Sequence, residues 1–422
     1  MRKLKDIFSS EFSKNVLTLM TGTTIAQAIP LAITPILTRL YTPEDFGVLA
    51  LFMAITAVLG GVANGKYEPA IMLPKSNKDA LNIVYLSVII ASCFSLVLLL
   101  TIVLFKNWIV LRLDEPKIEP WLYFVPIAVF SLGLYNAFLV YNNRLKLYKD
   151  ISISSISKAG GQSLTQVVFG LFKVGAGGLI IGQIVSYFTG NLVLVRNTFK
   201  NNSFKETVDK AVIKKMAGKY KKFPFFSLPS FFINSINLNV IHFLIASIFS
   251  VTTLGFYSLT QRMIGIPSRV LGSSIGQVYF QRASEKYNEN RITSSIFLQT
   301  LKKLLLIGFP IFIVGYFVVE PVFSFVFGEE WRIAGTYAKI IIPLAFIRFM
   351  SSTLSVTAII HNKQQYGLFI NMLLLVTTIG MFLYAKTTGL DFEDLLTYLT
   401  AILCAEYALF LYVYWKMSQN KL

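Results

Sequence analysis

Four basic residues and one acidic residue fall inside apolar stretches that are long enough to cross a membrane. They are Lys158, Arg262, Arg269, Arg348 and Glu406. A charged side chain at the centre of a bilayer costs about 2.5–3.5 kcal/mol by insertion scales, so such residues face a water-filled cavity or one another. Because the positive charges outnumber the negative one, these residues predict a site for anions. The planar donor group of arginine suits phosphate in particular.

The stretch SLTQRMIGIPSRVL carries two of these arginines, Arg262 and Arg269, seven residues apart. Seven residues are close to two turns of an α-helix, so the spacing predicts that both side chains lie on one face. Arg348 and Lys158 lie within two other apolar stretches. We predict that all four side chains contact an anionic substrate in a positively charged central cavity.

Each of these charges also has a structural alternative. Arg269 and Lys158 are near enough to the cytoplasmic ends of their stretches to extend the charged group to the membrane surface. Arg348 or Arg262 could instead form an ion pair with Glu406. Glu406 is also our candidate for binding a coupling ion, H⁺ or Na⁺, because it is the one acidic residue placed inside an apolar stretch.

Uncharged polar side chains add further candidates. Asn234 and Asn237, with His242, could form a polar stripe on one apolar stretch, and Gln27 lies on the first one. Such side chains either bind sugar hydroxyls or join helices, whose hydrogen bonds contribute about 0.6–2 kcal/mol each in membranes. We include Asn234, Asn237 and Gln27 in the predicted substrate site.

The elements that must position these residues are membrane-spanning helices. The 422-residue chain is 55% hydrophobic and only 14% charged, against about 25% charged for an ordinary soluble domain. A span needs about 20 mostly apolar residues. We therefore predict an all-α integral membrane protein with twelve transmembrane helices, at 15–38, 44–65, 79–105, 120–141, 151–172, 177–197, 223–248, 252–280, 294–319, 335–360, 365–386 and 395–415.

The distribution of basic residues gives the orientation of these spans. With the N-terminus in the cytoplasm, 27 of the 39 lysines and arginines fall on the cytoplasmic side and eight on the other side. This asymmetry predicts that both termini are cytoplasmic. It also accounts for most of the net charge of +18, which in a soluble protein would have indicated nucleic-acid binding. We expect no nucleic acid as a partner.

The longest predicted cytoplasmic connection, residues 199–221, divides the chain into 1–198 and 222–422. Each part holds six predicted spans, and DFGVLAL in the first is similar to TLGFYSL in the second. An even number of spans in each repeat predicts two six-helix bundles related by a pseudo-two-fold axis along the membrane normal. The connection itself is rich in lysine and predicts a short surface helix within a linker.

The sequence gives no indication of an enzyme. It contains no Walker A motif and no paired carboxylates at the spacing that glycosidases use. The two cysteines are far apart, and we predict no catalytic residue, no metal and no cofactor beyond a coupling ion. Two helical halves with charges inside the membrane instead favour a transporter.

Two segments carry a family resemblance. LTRLYTPEDFGVLALF (37–52) and KYEPAIMLPKSNKDA (66–80) resemble the Wzx-type polysaccharide flippases of the multidrug/oligosaccharidyl-lipid/polysaccharide exporter superfamily. The match includes Arg39. The second segment has Lys66 where the family often has arginine, which keeps the charge but loses the two-pronged donor geometry.

The resemblance implies a multi-pass protein of the bacterial inner membrane. It would translocate undecaprenyl-pyrophosphate-linked oligosaccharide repeat units by alternating access, for O-antigen, capsule or exopolysaccharide biosynthesis. The four cations inside the spans would then hold the pyrophosphate or acidic sugars, with Arg39 and Lys66 at the two mouths of the cavity. Membrane lipids, a polysaccharide polymerase and a chain-length regulator are the further expected partners.

Two other functions remain as alternatives. The first is a cation-coupled multidrug exporter of the same superfamily, which would depend on Glu406. The second is a membrane scaffold for a glycan assembly complex that transports nothing.

Overall fold

The computed structural model describes residues 11–113, 115–201 and 208–420, and within these ranges the regular structure is helical. Fourteen longer helices, connected by short turns and single-turn helices, make up most of the described chain. In chain order they are α1 (Glu11–Leu40), α2 (Pro43–Gly60), α3 (Asn77–Leu113), α4 (Val125–Arg144), α5 (Tyr148–Leu171), α6 (Ala176–Asn201), α7 (Lys210–Lys219), α8 (Leu228–Ile248), α9 (Val251–Pro267), α10 (Ser273–Asn290), α11 (Ser294–Phe327), α12 (Arg332–Leu354), α13 (Gln364–Thr388) and α14 (Phe392–Ser418).

Ten helical segments of the described chain are long and apolar enough to cross a membrane. They correspond to α1, α2, α3, α4, α6, α8, α11, α12, α13 and α14. Along α3 and α11, large apolar side chains such as Leu104, Leu111 and Phe317 are exposed. In water such surfaces would drive aggregation, whereas in a bilayer they contact acyl chains. The all-α membrane class is therefore confirmed, while the number twelve remains a prediction.

The two predicted spans outside this set are the most polar ones. Predicted span 151–172 is the helix α5, which carries Lys158 and several serine and glutamine side chains. Predicted span 252–280 is divided, because α9 ends at Pro267 and a π-helical turn, Ser268–Gly272, precedes α10. Both contain residues that the sequence assigns to the substrate site: Lys158 in the first, and Arg262 and Arg269 in the second.

The described chain forms two compact units, one up to Ser247 and one from Ile248. In the first unit, a cluster of buried apolar residues joins α3, α4 and α7. In the second unit, another such cluster joins α10, α11, α12 and α14. Helix α7 and nearly all of α8 belong to the first unit. The predicted domains 1–198 and 222–422, their linker 199–221 and their symmetry remain predictions.

Candidate substrate-binding site

Polar side chains join helices α5 and α6 within the first unit. The Ser154 hydroxyl donates a hydrogen bond to the Gly190 carbonyl at 2.8 Å. The Gln162 side-chain amide donates to the Gln183 side-chain oxygen at 3.0 Å. Side-chain hydrogen bonds of this kind join helices in membranes, where apolar surfaces give little preference for a particular partner. The polar composition of α5 thus serves, in part, to hold it against α6.

Lys158 lies on α5 with its side chain between two aromatic rings. Its Nζ is 3.8 Å from the centre of the Tyr135 ring on α4 and 5.1 Å from that of the Tyr187 ring on α6. Both tyrosines are buried. The lysine stem fits beside α6 because Gly190 is there: a Cβ at that position would lie 2.4 Å from Lys158 Cγ.

The ammonium group of Lys158 has no acidic neighbour in the described part of the chain, where no carboxylate oxygen lies within 4 Å of it. The faces of the two tyrosine rings partly stabilise the charge. The rings carry no net negative charge, so the positive charge of Lys158 is available to pair with an anionic ligand. Sequence reasoning identified Lys158 but missed Tyr135 and Tyr187, since nothing in their local sequence distinguishes them from other tyrosines.

Lys66 follows α2 in a left-handed backbone conformation, with φ at 58°. Its Nζ lies 3.1 Å from Glu68 Oε1 and 3.4 Å from the centre of the Phe231 ring on α8. Glu68 is buried, and its second carboxylate oxygen, Oε2, has no hydrogen-bond partner in the described structure. The charge of Lys66 is therefore already paired, which favours a structural role for it between α2 and α8.

The segment after Lys66 is held by Arg144, at the end of α4. Its guanidinium donates to the carbonyls of Ile71, Met72 and Pro74 and to the side-chain oxygen of Asn77. Nothing in the sequence distinguishes Arg144 from the other basic residues counted on the cytoplasmic side. Arginine is suited to this role because its five donors lie in one plane and can bind several acceptors at once.

Arg39 lies near the end of α1, one helix before Lys66. It is exposed, and its Nη1 donates to the Pro35 carbonyl of its own helix at 2.8 Å. Next along the chain, Thr42 and Asp45 cap α2 reciprocally. Because α2 separates Arg39 from Lys66, the two residues lie near opposite ends of that helix, while their roles at the cavity mouths remain predictions.

The predicted amide residues lie on α1 and α8. Gln27 and Asn234 are exposed, and Asn237 is half-buried. An amide exposed on a membrane helix avoids the cost of contact with acyl chains only where it meets water or a polar ligand. Gln27 and Asn234 therefore fit positions that face a polar space. The structure does not join either of them to Lys158 by a hydrogen bond.

The arginines of the second unit lie on different helices. Arg262 is half-buried on α9, whereas Arg269 lies in the π-helical turn, and the Arg269 side chain is outside the described part of the structure. The predicted shared face assumed one continuous α-helix. Because the backbone changes to π-helical geometry between the two residues, seven residues no longer equal two α-helical turns.

Arg348 on α12 is exposed and lies close enough to Tyr257 and Tyr407 to interact with both electrostatically. Glu406 on α14 accepts a hydrogen bond from the Thr377 hydroxyl at 2.5 Å, and its Oε2 is buried without a hydrogen-bond partner. In the described structure, no nitrogen of Arg348 lies within 4 Å of the Glu406 carboxylate. The ion-pair alternative for Arg348 is therefore not formed in this structure.

A cavity of about 530 Å³ also lies within the second unit, between the π-helical turn with α10 and the end of α12. Its lining includes the hydroxyl and amide side chains of Ser268, Gln277, Ser352 and Thr353. No sequence pattern indicated this cavity, because it depends on how two distant helices pack.

Comparison with known proteins places this architecture in a family. A family model described as polysaccharide biosynthesis protein matches residues 36–335, which is more than half of the chain. The chain belongs to this polysaccharide biosynthesis protein family. The match begins one residue before the first segment that carries the Wzx-type resemblance and includes both segments. With the fold comparisons below, it confirms that resemblance.

One curated relative of this family member is the teichuronic acid biosynthesis protein TuaB of Bacillus subtilis (strain 168). It is 26% identical over 125 residues, which are 30% of this chain and 26% of the relative. The matched part thus spans about a quarter of that relative's length.

Two solved structures are similar over most of the family member's length. The lipid II flippase MurJ, in an inward closed conformation, has a TM-score of 0.70 at 14% identity, covering 96% of this chain and 90% of its own. An inward-facing multidrug resistance MATE family transporter of the MOP superfamily has a TM-score of 0.67 at 13% identity, covering 93% of both chains. At these identities the likeness shows the fold alone.

Proposed function

We propose that this protein translocates undecaprenyl-pyrophosphate-linked oligosaccharide repeat units across the bacterial inner membrane, for the assembly of a surface polysaccharide. It would work by alternating access, with both termini in the cytoplasm, and would not be an enzyme. A polysaccharide polymerase and a chain-length regulator would act on the translocated units. Membership of the polysaccharide biosynthesis family and the fold shared with the lipid II flippase support this proposal.

The observation that carries the proposal is a pair of cations without acidic partners, Lys158 on the polar helix α5 and Arg348 on the candidate membrane helix α12. Lys158 is stabilised by tyrosine rings, and Arg348 lies near two tyrosines, with no carboxylate within 4 Å of either in the described residues. A charge on a membrane helix is costly unless a ligand or water compensates it. The pyrophosphate and acidic sugars of a lipid-linked oligosaccharide would supply that compensation.

Translocation can be tested with purified protein in liposomes that contain a defined lipid-linked oligosaccharide. A glycosidase added outside reports how much of the sugar has reached the outer leaflet. We expect the wild-type protein to expose the sugar faster than protein-free liposomes, and the Lys158→Met/Arg348→Met variant to lose most of this activity. Lys302→Met/Lys303→Met, which removes two exposed charges from α11, is the matched control. No movement by correctly folded wild-type protein would instead support the scaffold function.

The second candidate function is a cation-coupled multidrug exporter. It is favoured by the MATE transporter fold and by Glu406, whose buried Oε2 lacks a hydrogen-bond partner in the described structure. The same liposomes, loaded with a fluorescent organic cation, distinguish the two functions. Efflux that requires Glu406, without any translocation of lipid-linked sugar, would replace the first proposal with this one.

A further inference from the structure

Helix α7 and the residues directly after it carry a dense group of lysines, just before the candidate membrane span Phe223–Ile248. Residues 208–222 contain six lysines and a single acidic residue, Asp209. All six lysines are exposed, and none lies within 4 Å of a carboxylate in the described part of the chain. We call this group, which consists of Lys210, Lys214, Lys215, Lys219, Lys221 and Lys222, the lysine face.

The orientation of the lysine face is fixed because the opposite face of α7 is docked on the first unit. Met216 and Tyr220 are buried in the cluster formed with α3 and α4. The Tyr67 hydroxyl donates to the Ala217 carbonyl at 3.1 Å. The helix is thus held along its length, so its lysines point away from the protein.

The start of α7 is also fixed, and the Asp209 carboxylate takes part in fixing it. The Asp209 carboxylate accepts a hydrogen bond from the Ala211 amide as the helix cap, at 2.8 Å. The Asp209 amide donates to the Asn82 side chain at 3.0 Å. Asp209 is therefore engaged at the N-terminus, where it does not pair with any of the six lysines.

The lysine face adjoins the start of a candidate membrane span. Lys221 and Lys222 immediately precede the candidate membrane span Phe223–Ile248. In the π-helical turn that opens this span, Phe225 and Phe226 are 70% and 72% exposed. Lysines followed at once by exposed aromatic side chains are typical of segments at the boundary between head groups and acyl chains.

Mutual repulsion makes an anionic partner favourable. Lys210 and Lys214, like Lys215 and Lys219, are four residues apart, a spacing at which like charges destabilise a helix. Anionic lipids within a Debye length of about 8–10 Å would attract every one of these lysines. From this geometry we infer that the lysine face of α7 is a docking surface for the anionic phospholipid head groups of the adjoining leaflet. The inference does not depend on what the protein transports.

Amide hydrogen exchange of the full-length protein in nanodiscs tests this docking. Discs are made of phosphatidylcholine alone or of phosphatidylcholine with phosphatidylglycerol. A ligand that binds the folded helix slows its opening by mass action, so we expect amides 210–220 to exchange roughly fivefold or more slowly with the anionic lipid at low salt. This slowing should be lost at high salt, because exposed charges are then screened.

Two pairs of adjacent exposed lysines provide matched variants. Lys214→Gln/Lys215→Gln should lose most of the slowing by phosphatidylglycerol, while Lys302→Gln/Lys303→Gln on α11 should keep it. Equal exchange of the Met216 amide in phosphatidylcholine discs would show that α7 is still docked in both variants. If Lys214→Gln/Lys215→Gln undocks α7, the variant Lys219→Gln/Lys221→Gln is used in its place. The inference is overturned if phosphatidylglycerol has no effect on the wild type, or if its effect survives high salt. Equal loss in both variants also overturns it.

Discussion

The ammonium group of Lys158 lies 3.8 Å from the centre of the Tyr135 ring, which belongs to the neighbouring helix α4. Tyr187 on α6 contacts the same ammonium group from farther away, at 5.1 Å. One lysine thus connects three helices through ring faces. A cation–π contact that is removed from water contributes about 2 kcal/mol, which offsets only part of the cost of removing a charge from water.

Replacing Lys158 should separate the need for its charge from the need for its packing. Lys158→Met keeps a long side chain between the rings but removes the charge, so we expect folded protein with at least about tenfold slower translocation, or about 1.4 kcal/mol in the barrier. Lys158→Arg should retain more activity, because guanidinium also stacks on aromatic rings. Sugar exposure in liposomes measures both rates, and equal rates for the Lys158→Met variant and the wild type would contradict a role in binding. Lys386→Met, an exposed lysine on α13, controls for charge removal.

Gly190 makes room for Lys158, and this gives a second, steric prediction. A Cβ at Gly190 would lie 2.4 Å from Lys158 Cγ and 3.0 Å from a Tyr135 ring carbon. Gly190→Ala should therefore displace the lysine and cost about 1–3 kcal/mol of stability, as overpacking does in cores. Gly160→Ala on α5 meets nothing within 4 Å and should be neutral or slightly stabilising. Thermal unfolding in detergent compares the two, and equal melting temperatures would show that the site relaxes freely.

The sequence alone predicts the membrane class, the helical fold and the charged candidates, because each depends on local composition. It does not predict what those charges contact. Lys158 is compensated by Tyr135 and Tyr187, and Lys66 by Glu68 and Phe231, and three of these four partners are far away in sequence. The π-helical turn was also missed, so the predicted common face of Arg262 and Arg269 rested on a helix that changes its geometry between them.

The ion pair of Lys66 and Glu68 should make the two side chains depend on each other for stability. Lys66→Asn tolerates the left-handed backbone but leaves the buried carboxylate without its cation, which costs about 3–5 kcal/mol in comparable buried pairs. We expect Lys66→Asn/Glu68→Gln to be more stable than Lys66→Asn alone, because the uncompensated charge is then gone. Thermal unfolding of the single and double variants gives the coupling energy. Additive losses would mean that the two side chains do not stabilise each other.

His361 should make the second unit sensitive to mild acid. Its Nε2 lies 3.0 Å from the Thr293 hydroxyl, and its ring contacts Tyr287 edge to face. Burial, with a smaller effect of the Lys363 charge, lowers the pKa of His361. The folded state therefore resists protonation, so stability is full above the ordinary histidine pKa of about 6.5 and falls as the pH drops towards the lower folded value.

A variant without the titrating ring isolates this effect. His361→Gln can keep a hydrogen bond to Thr293 but cannot be protonated near neutral pH. Between about pH 8 and pH 5.5, the melting temperature of the wild type should fall more than that of the variant. Parallel curves for the two proteins would assign the acid sensitivity to other groups.

Glu406 is the acidic member of the five predicted intramembrane charges, and its geometry predicts ion dependence. One carboxylate oxygen accepts the Thr377 hydrogen bond, while the buried Oε2 has no hydrogen-bond partner in the described structure, so a proton or a sodium ion would satisfy it. Glu406→Gln mimics the protonated side chain permanently. If Glu406 couples transport to an ion, this variant should translocate sugar at a rate that no longer responds to an imposed H⁺ or Na⁺ gradient. Glu393→Gln, at the exposed start of the same helix, should respond as the wild type does. A Glu406→Gln variant with an unchanged gradient response would leave Glu406 a purely structural partner of Thr377.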